Sequence, residues 1–149
     1  MEQKTPHLPP ARRQVFIDLL HTEKCSCVIS HGNDTRIFRE RGVKDLYRLF
    51  KEEPEFLRDA FIADKVIGKG AAALLVLGGI GEVYADVISD AACRLLEEAG
   101  IPTHTACRVP HIINRTQTDR CPLEKRCDGL QTAADCLPAI EEFIAQMKS

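Results

Sequence analysis

The chain has 149 residues, of which 44% are hydrophobic and 28% charged, with a formal net charge of -2. That length suits one domain with a sizeable core. The charge excludes a general nucleic-acid coat, which needs a basic surplus to displace counterions, and no apolar run approaches the roughly 18 residues of a membrane span.

Residues 1–11 carry charges and three prolines but no apolar h-region. They are expected to form a flexible N-terminal arm rather than a signal peptide, with residues 12–149 as a single domain. Arg12 to Leu20 places Val15, Phe16, Leu19 and Leu20 at helical spacing, which predicts a first helix. Cys25 to Ser30 and Thr35 to Arg39 read as strands joined by the turn residues His31-Gly32-Asn33-Asp34, a hairpin. Val43 to Phe50 reads as a helix ending before Pro54, and Ala60 to Ala63 as a buried strand. Val66 to Leu77 is apolar nearly all round, which predicts a helix buried inside the domain. Glu82 to Ile88 is a strand, Ser89-Asp90 a helix start, and Gly100 with Pro102 a helix stop. Thr103 to Val109 is the last strand, and Ala133 to Met147 the last helix, with Pro138 inside it.

Two strand-helix-strand units in a row imply parallel pairing, and the early hairpin makes the sheet mixed. The expected fold is therefore α/β, a mixed five-stranded sheet with helices on both faces. Seven cysteines, an odd number without the spacing of a disulfide framework, fit reduced thiols in the cytoplasm. The early cluster Arg36, Arg39, Arg41, Lys44 and Arg48 reads as a solvated face.

The element order is similar to the three-layer cytidine-deaminase-like fold. The runs Ala63-Asp64-Lys65-Val66-Ile67-Gly68-Lys69-Gly70-Ala71-Ala72 and Asn114-Arg115-Thr116-Gln117-Thr118-Asp119-Arg120-Cys121-Pro122-Leu123-Glu124 resemble the domain of unknown function 1893 family. This is a prokaryotic group placed with that fold, and the resemblance runs from about Leu20 to Cys127. It implies a fold and no particular activity. A zinc deaminase needs His or Cys, one residue, then Glu at one helix start, and Pro-Cys-x-x-Cys at the next. The corresponding stretches here are Asp64-Lys65-Val66 and Ser89-Asp90-Ala91-Ala92-Cys93. With a single thiol between them, no bound zinc, no deamination and no other cofactor are expected.

Candidate chemistry gathers in three places. Lys65 and Lys69, four residues apart at the expected start of the buried helix, would oppose its dipole and repel each other. An anion held by both lysines and the free N–H groups would remove those costs, with Gly68 and Gly70 allowing close approach. The alternative pairs the lysines with Asp64 or Asp86. Cys121-Pro122-Leu123-Glu124 reads as a helix start with Cys121 at the N-cap. A helix N-terminus and Arg120 beside the thiol favour a nucleophile, with Glu124 as acid or base. Asn114, Arg115 and Thr118 suit a phosphate or carboxylate. Cys25 and Cys27, expected on one strand face, could join Cys121 and Cys127 around a metal, but their spacings are poor for zinc. Cys93, Cys107 and Cys136 read as core.

The main expectation is a domain that binds a small anionic, nucleotide-like molecule through Asp64, Lys65, Lys69, Asn114, Arg115 and Thr118. The alternatives are a cysteine-dependent transferase or hydrolase using Cys121 and Glu124, and a protein-interaction module; a homo-oligomer is compatible with each. Loops at the carboxyl ends of parallel strands share one edge, so the lysine helix and the 114–124 segment are expected to meet at one pocket.

Overall fold

A computed structural model describes residues 8–23, 25–39, 43–113 and 121–147. Helix α1 (Pro10–Thr22) starts with proline in its first turn, where no N–H is missed. The Leu8 N–H already bonds to Glu82 (3.0 Å). Residues 8–11, expected in the arm, are therefore part of the fold, while 1–7 lie outside the described residues.

Strands β1 (Cys27–His31) and β2 (Asp34–Phe38) form the expected hairpin. Its two-residue turn puts Gly32 at φ 60, a left-handed corner that glycine takes without strain. Helix α2 (Lys44–Glu52) gives way at Pro54 to a separate short helix, α3 (Pro54–Leu57). Then β3 (Phe61–Ile67), α4 (Lys69–Leu77), β4 (Glu82–Ser89), α5 (Asp90–Glu98) and β5 (Thr103–Val109) alternate, followed by α6 (Pro122–Arg126) and α7 (Ala133–Met147). Ser89 caps α5 by accepting the Ala92 N–H at 3.2 Å, and Gly100 at φ 77 closes it.

The sheet order is β2-β1-β3-β4-β5, antiparallel on the hairpin side and parallel from β3 to β5. Successive parallel crossovers share one hand and so stay on one face. On that face Ile29, Ile62, Val83 and Ile88 pack beneath α2 to α7, through Leu49, Leu57, Leu74, Leu96 and Ile140. The other face carries Val28, Phe61, Ala63 and Tyr84, and among the described residues it is packed under α1 through Phe16 and Leu20.

The structure corrects three further sequence expectations. Val66 and Ile67 belong to β3, opposite Val87 and Ile88, so the buried helix begins at Lys69. Val66 and Ile67 are apolar and run straight into the apolar α4, so periodicity does not separate strand from helix there, and only Gly68 marked the boundary. Cys25 and Cys27 lie in different core layers because β1 begins only at Cys27, after a turn in which the Cys25 N–H bonds to Glu23. Cys107 is exposed, because β5 is an edge strand with little packed over it. In the basic cluster, Arg36 pairs with Asp34 and Glu53, Arg39 with Glu23, and Arg48 with Asp45.

Candidate functional site

The β3–α4 junction builds the site. Gly68 is the N-cap of α4 in extended backbone and has no side chain to cap the helix. The cap arrives from elsewhere. The Lys69 N–H donates to Glu124 Oε2 at 3.1 Å, and the Ile112 N–H donates to Glu124 Oε1 at 2.6 Å. Glu124, 2% exposed, thus sets its carboxyl group at the positive end of α4.

Glycine makes the approach possible. A Cβ on Gly70 would stand 2.5 Å from Leu123 Cδ2, and one on Gly68 would stand 3.3 Å from Glu124 Oε2. Cys121 ends the approach to α6 as its N-cap, half-buried, with its N–H on the Ile112 carbonyl at 2.7 Å.

Lys69 extends away from this brace, and its Nζ donates to the Leu130 carbonyl at 2.6 Å. Beside it lies a groove of about 230 Å³ lined by Lys69, Arg94, Glu98, Gly129, Leu130 and Gln131 among others. Behind the Leu130 turn, Cys127 and Cys136 are fully buried and their thiols hydrogen-bond. Cys136 is the more acidic, lowered by the bond from Cys127, with Lys69 adding to the effect against burial. Cys127 is pushed well up, by that bond first and by burial second.

The family model for the domain of unknown function DUF1893 matches residues 15–144. The chain belongs to this family. A crystal structure of a DUF1893 family protein from Thermotoga maritima superposes with a TM-score of 0.85 at 20% identity, over 95% of this chain and 96% of that one. At that identity the likeness shows a shared fold. No curated protein matches the sequence.

Within this DUF1893 chain the predicted residues separate. Lys69, Glu124 and Cys121 come together where α4 meets α6. Lys65 does not join them: it lies in β3, its N–H bonds to the Ser26 carbonyl, and its charge is felt by Cys25 in the layer under α1. The pair of lysines in one helical turn is therefore replaced by one lysine on each side of the sheet. Asp64 also lies in β3, its carboxyl raised from 3.8 to about 7 by burial, with the Val66 and Lys65 N–H groups opposing and Asp86 adding. Asp86 is engaged by His21 Nε2 at 2.8 Å and by the Tyr84 hydroxyl at 2.6 Å. Neither acid is paired with Lys69, whose ammonium rests on a carbonyl instead. Asn114, Arg115 and Thr118 lie outside the described residues.

Sequence reasoning missed Arg94 and Gln131. Ala91, Arg94, Leu95 and Glu98 form one i, i+3, i+4, i+7 stripe of α5, a visible pattern. A single sequence does not say that a groove faces it. Among the described residues no three His, Cys, Asp or Glu side chains gather as metal ligands, and no helix is long and apolar enough to cross a membrane.

Proposed function

We propose that this DUF1893 chain binds a small anionic, nucleotide-like molecule in the groove beside Lys69. The observation that carries the reading is a pair of cations, Lys69 and Arg94, on one groove with no ion pair to either among the described residues. The helix end itself is already served by Glu124, so the ligand engages side chains and the Gly129–Gln131 turn rather than the α4 N-terminus. Asn114, Arg115 and Thr118, which lie outside the described residues, are kept as residues of the same ligand on their polar, phosphate-suited chemistry in the sequence alone.

We further place the domain with the cytidine-deaminase-like fold, supported by the hairpin edge and two parallel crossovers of its sheet. The α4 start offers Lys69-Gly70-Ala71 and the α5 start one thiol, Cys93, which supports a chemistry other than zinc deamination. Seven free thiols, most of them buried, support a reducing, cytoplasmic setting.

The test is calorimetric titration of pyrophosphate and AMP into the wild type, Arg94→Gln and Lys69→Met. Charge-assisted hydrogen bonds contribute about 1.5–3 kcal/mol each, so each variant should weaken binding roughly 10- to 100-fold. Binding of neither probe, or binding indifferent to both substitutions, overturns the proposal.

A cysteine-dependent transferase or hydrolase at Cys121 is the second reading, supported by its half-buried thiol beside the α4–α6 contact. The engagement of both Glu124 oxygens by backbone N–H groups supports bracing for that residue rather than proton transfer.

A further inference from the structure

We propose that a second cavity, at the end of the parallel strands opposite Lys69, binds a small zwitterion of the α-amino-acid class. This cavity, of about 160 Å³, lies where β3 and β4 begin and is lined by Leu8, Arg12, Ser30, Asp59, Phe61 and Glu82. Ser30 stands opposite Phe61 in the β1–β3 ladder and therefore faces the α1 layer with it. It is 7% exposed, and among the described residues its hydroxyl has no hydrogen-bond partner. A buried hydroxyl without a partner is costly, and few are tolerated in a native fold. A ligand satisfies it.

The charges around Ser30 are of both signs. The Arg12 guanidinium lies over the Phe16 ring, 4.9 Å from its centroid, and makes no ion pair among the described residues. Glu82, 3% exposed, takes the Leu8 N–H on Oε1, while Arg13 Nε (3.1 Å) and His104 Nε2 (2.8 Å) lie on Oε2. Oε1 keeps a lone pair for one more donor. Asp59, exposed at the mouth, also lacks an ion pair among the described residues. It sits at φ 63, held by its N–H bond to the Gly79 carbonyl (2.8 Å) and by Gly81. Any Cβ on Gly81 would come within 2.9 Å of the Asp59 backbone.

An inorganic anion would meet two carboxylates here, and a bare cation would meet Arg12. A molecule with both charges suits the lining: its carboxylate on Arg12, its ammonium on Asp59 and Glu82 Oε1, and its carbon skeleton on Phe61 and Leu8. The space is smaller than the roughly 300–1,000 Å³ of pockets for drug-sized ligands, which restricts the ligand to few non-hydrogen atoms.

The experiment is an amide NMR titration of the full chain with glycine, L-alanine and L-serine, with acetate and methylammonium as single-charge controls. The amino acids should shift the Ser30, Ala60 and Phe61 resonances at concentrations where neither control does. Ser30→Ala removes a hydroxyl without a partner, so its Tm should equal or exceed the wild type while affinity falls about tenfold or more. Arg12→Gln should weaken binding similarly. A wild type unresponsive to all three amino acids, or a response retained in both variants, overturns the proposal. Pyrophosphate binding at Lys69 is independent of either result.

Discussion

At the scale of single residues, Glu124 and Asp64 are two acids the sequence flagged and the fold employs differently. Glu124 accepts two backbone N–H bonds with almost no exposure. Glu124→Ala leaves the buried Ile112 N–H and the half-buried Lys69 N–H without an acceptor, and chemical denaturation should register a loss of about 2–4 kcal/mol, with Glu124→Gln losing less. A loss under about 0.5 kcal/mol would mean that the carboxylate braces nothing. Asp64 supplies a pH signature. Its folded carboxyl, raised from 3.8 to about 7, keeps a proton that the unfolded chain has released. Stability from this group is therefore full below its unfolded value and falls as pH rises through that window. Asp64→Asn should raise Tm at about pH 8 and leave it nearly unchanged at about pH 4; an equal effect at both would refute the shift. The helical position of Glu124, third after the Cys121 cap, was legible in the sequence. Its partners were not, because Lys69 and Ile112 meet it only through the tertiary fold.

Among the elements, the hairpin, the Ser89 cap and the helix after Pro122 were readable because turn and cap chemistry is local. The β3–α4 boundary was not. Val66 to Leu77 is apolar but for Lys69, on a strand period and a helix period alike, and Gly68 marks the division. The price of that misreading was Lys65, assigned to a helix it does not share with Lys69. Gly70 shows how closely the two helices meet, since a Cβ there collides with Leu123. Gly70→Ala should cost about 1–3 kcal/mol by overpacking, although alanine is the better helix former. A more stable Gly70→Ala protein would show that α6 gives way easily.

For the whole molecule, the alternation of strands and helices conveyed the mixed sheet, but not the unequal covering of its faces. All the helices from α2 onward pack on one side, and α1 stands over Phe61, Ala63 and Tyr84 on the other. Phe16, with its ring 5.6 Å from that of Phe61, anchors α1. Phe16→Ala should lower unfolding free energy by about 3–5 kcal/mol. Because the Lys69 groove lies beyond the sheet, pyrophosphate affinity in the folded fraction should be unaltered. A variant that keeps wild-type stability would show that α1 is not a structural layer.

The Glu124 brace also has a consequence in time. The first amides of a helix normally trade their protons with solvent quickly, since no carbonyl of the helix holds them. The Lys69 amide is held by a carboxylate belonging to α6, and the Ile112 amide by the same group. Both can open only when α6 lifts away, so in deuterated solvent the two should exchange slowly and at matched opening free energies. Lys69 would then serve as a local clock for the docking of a helix far along the chain, and widely different protection at the two amides would show that they open separately.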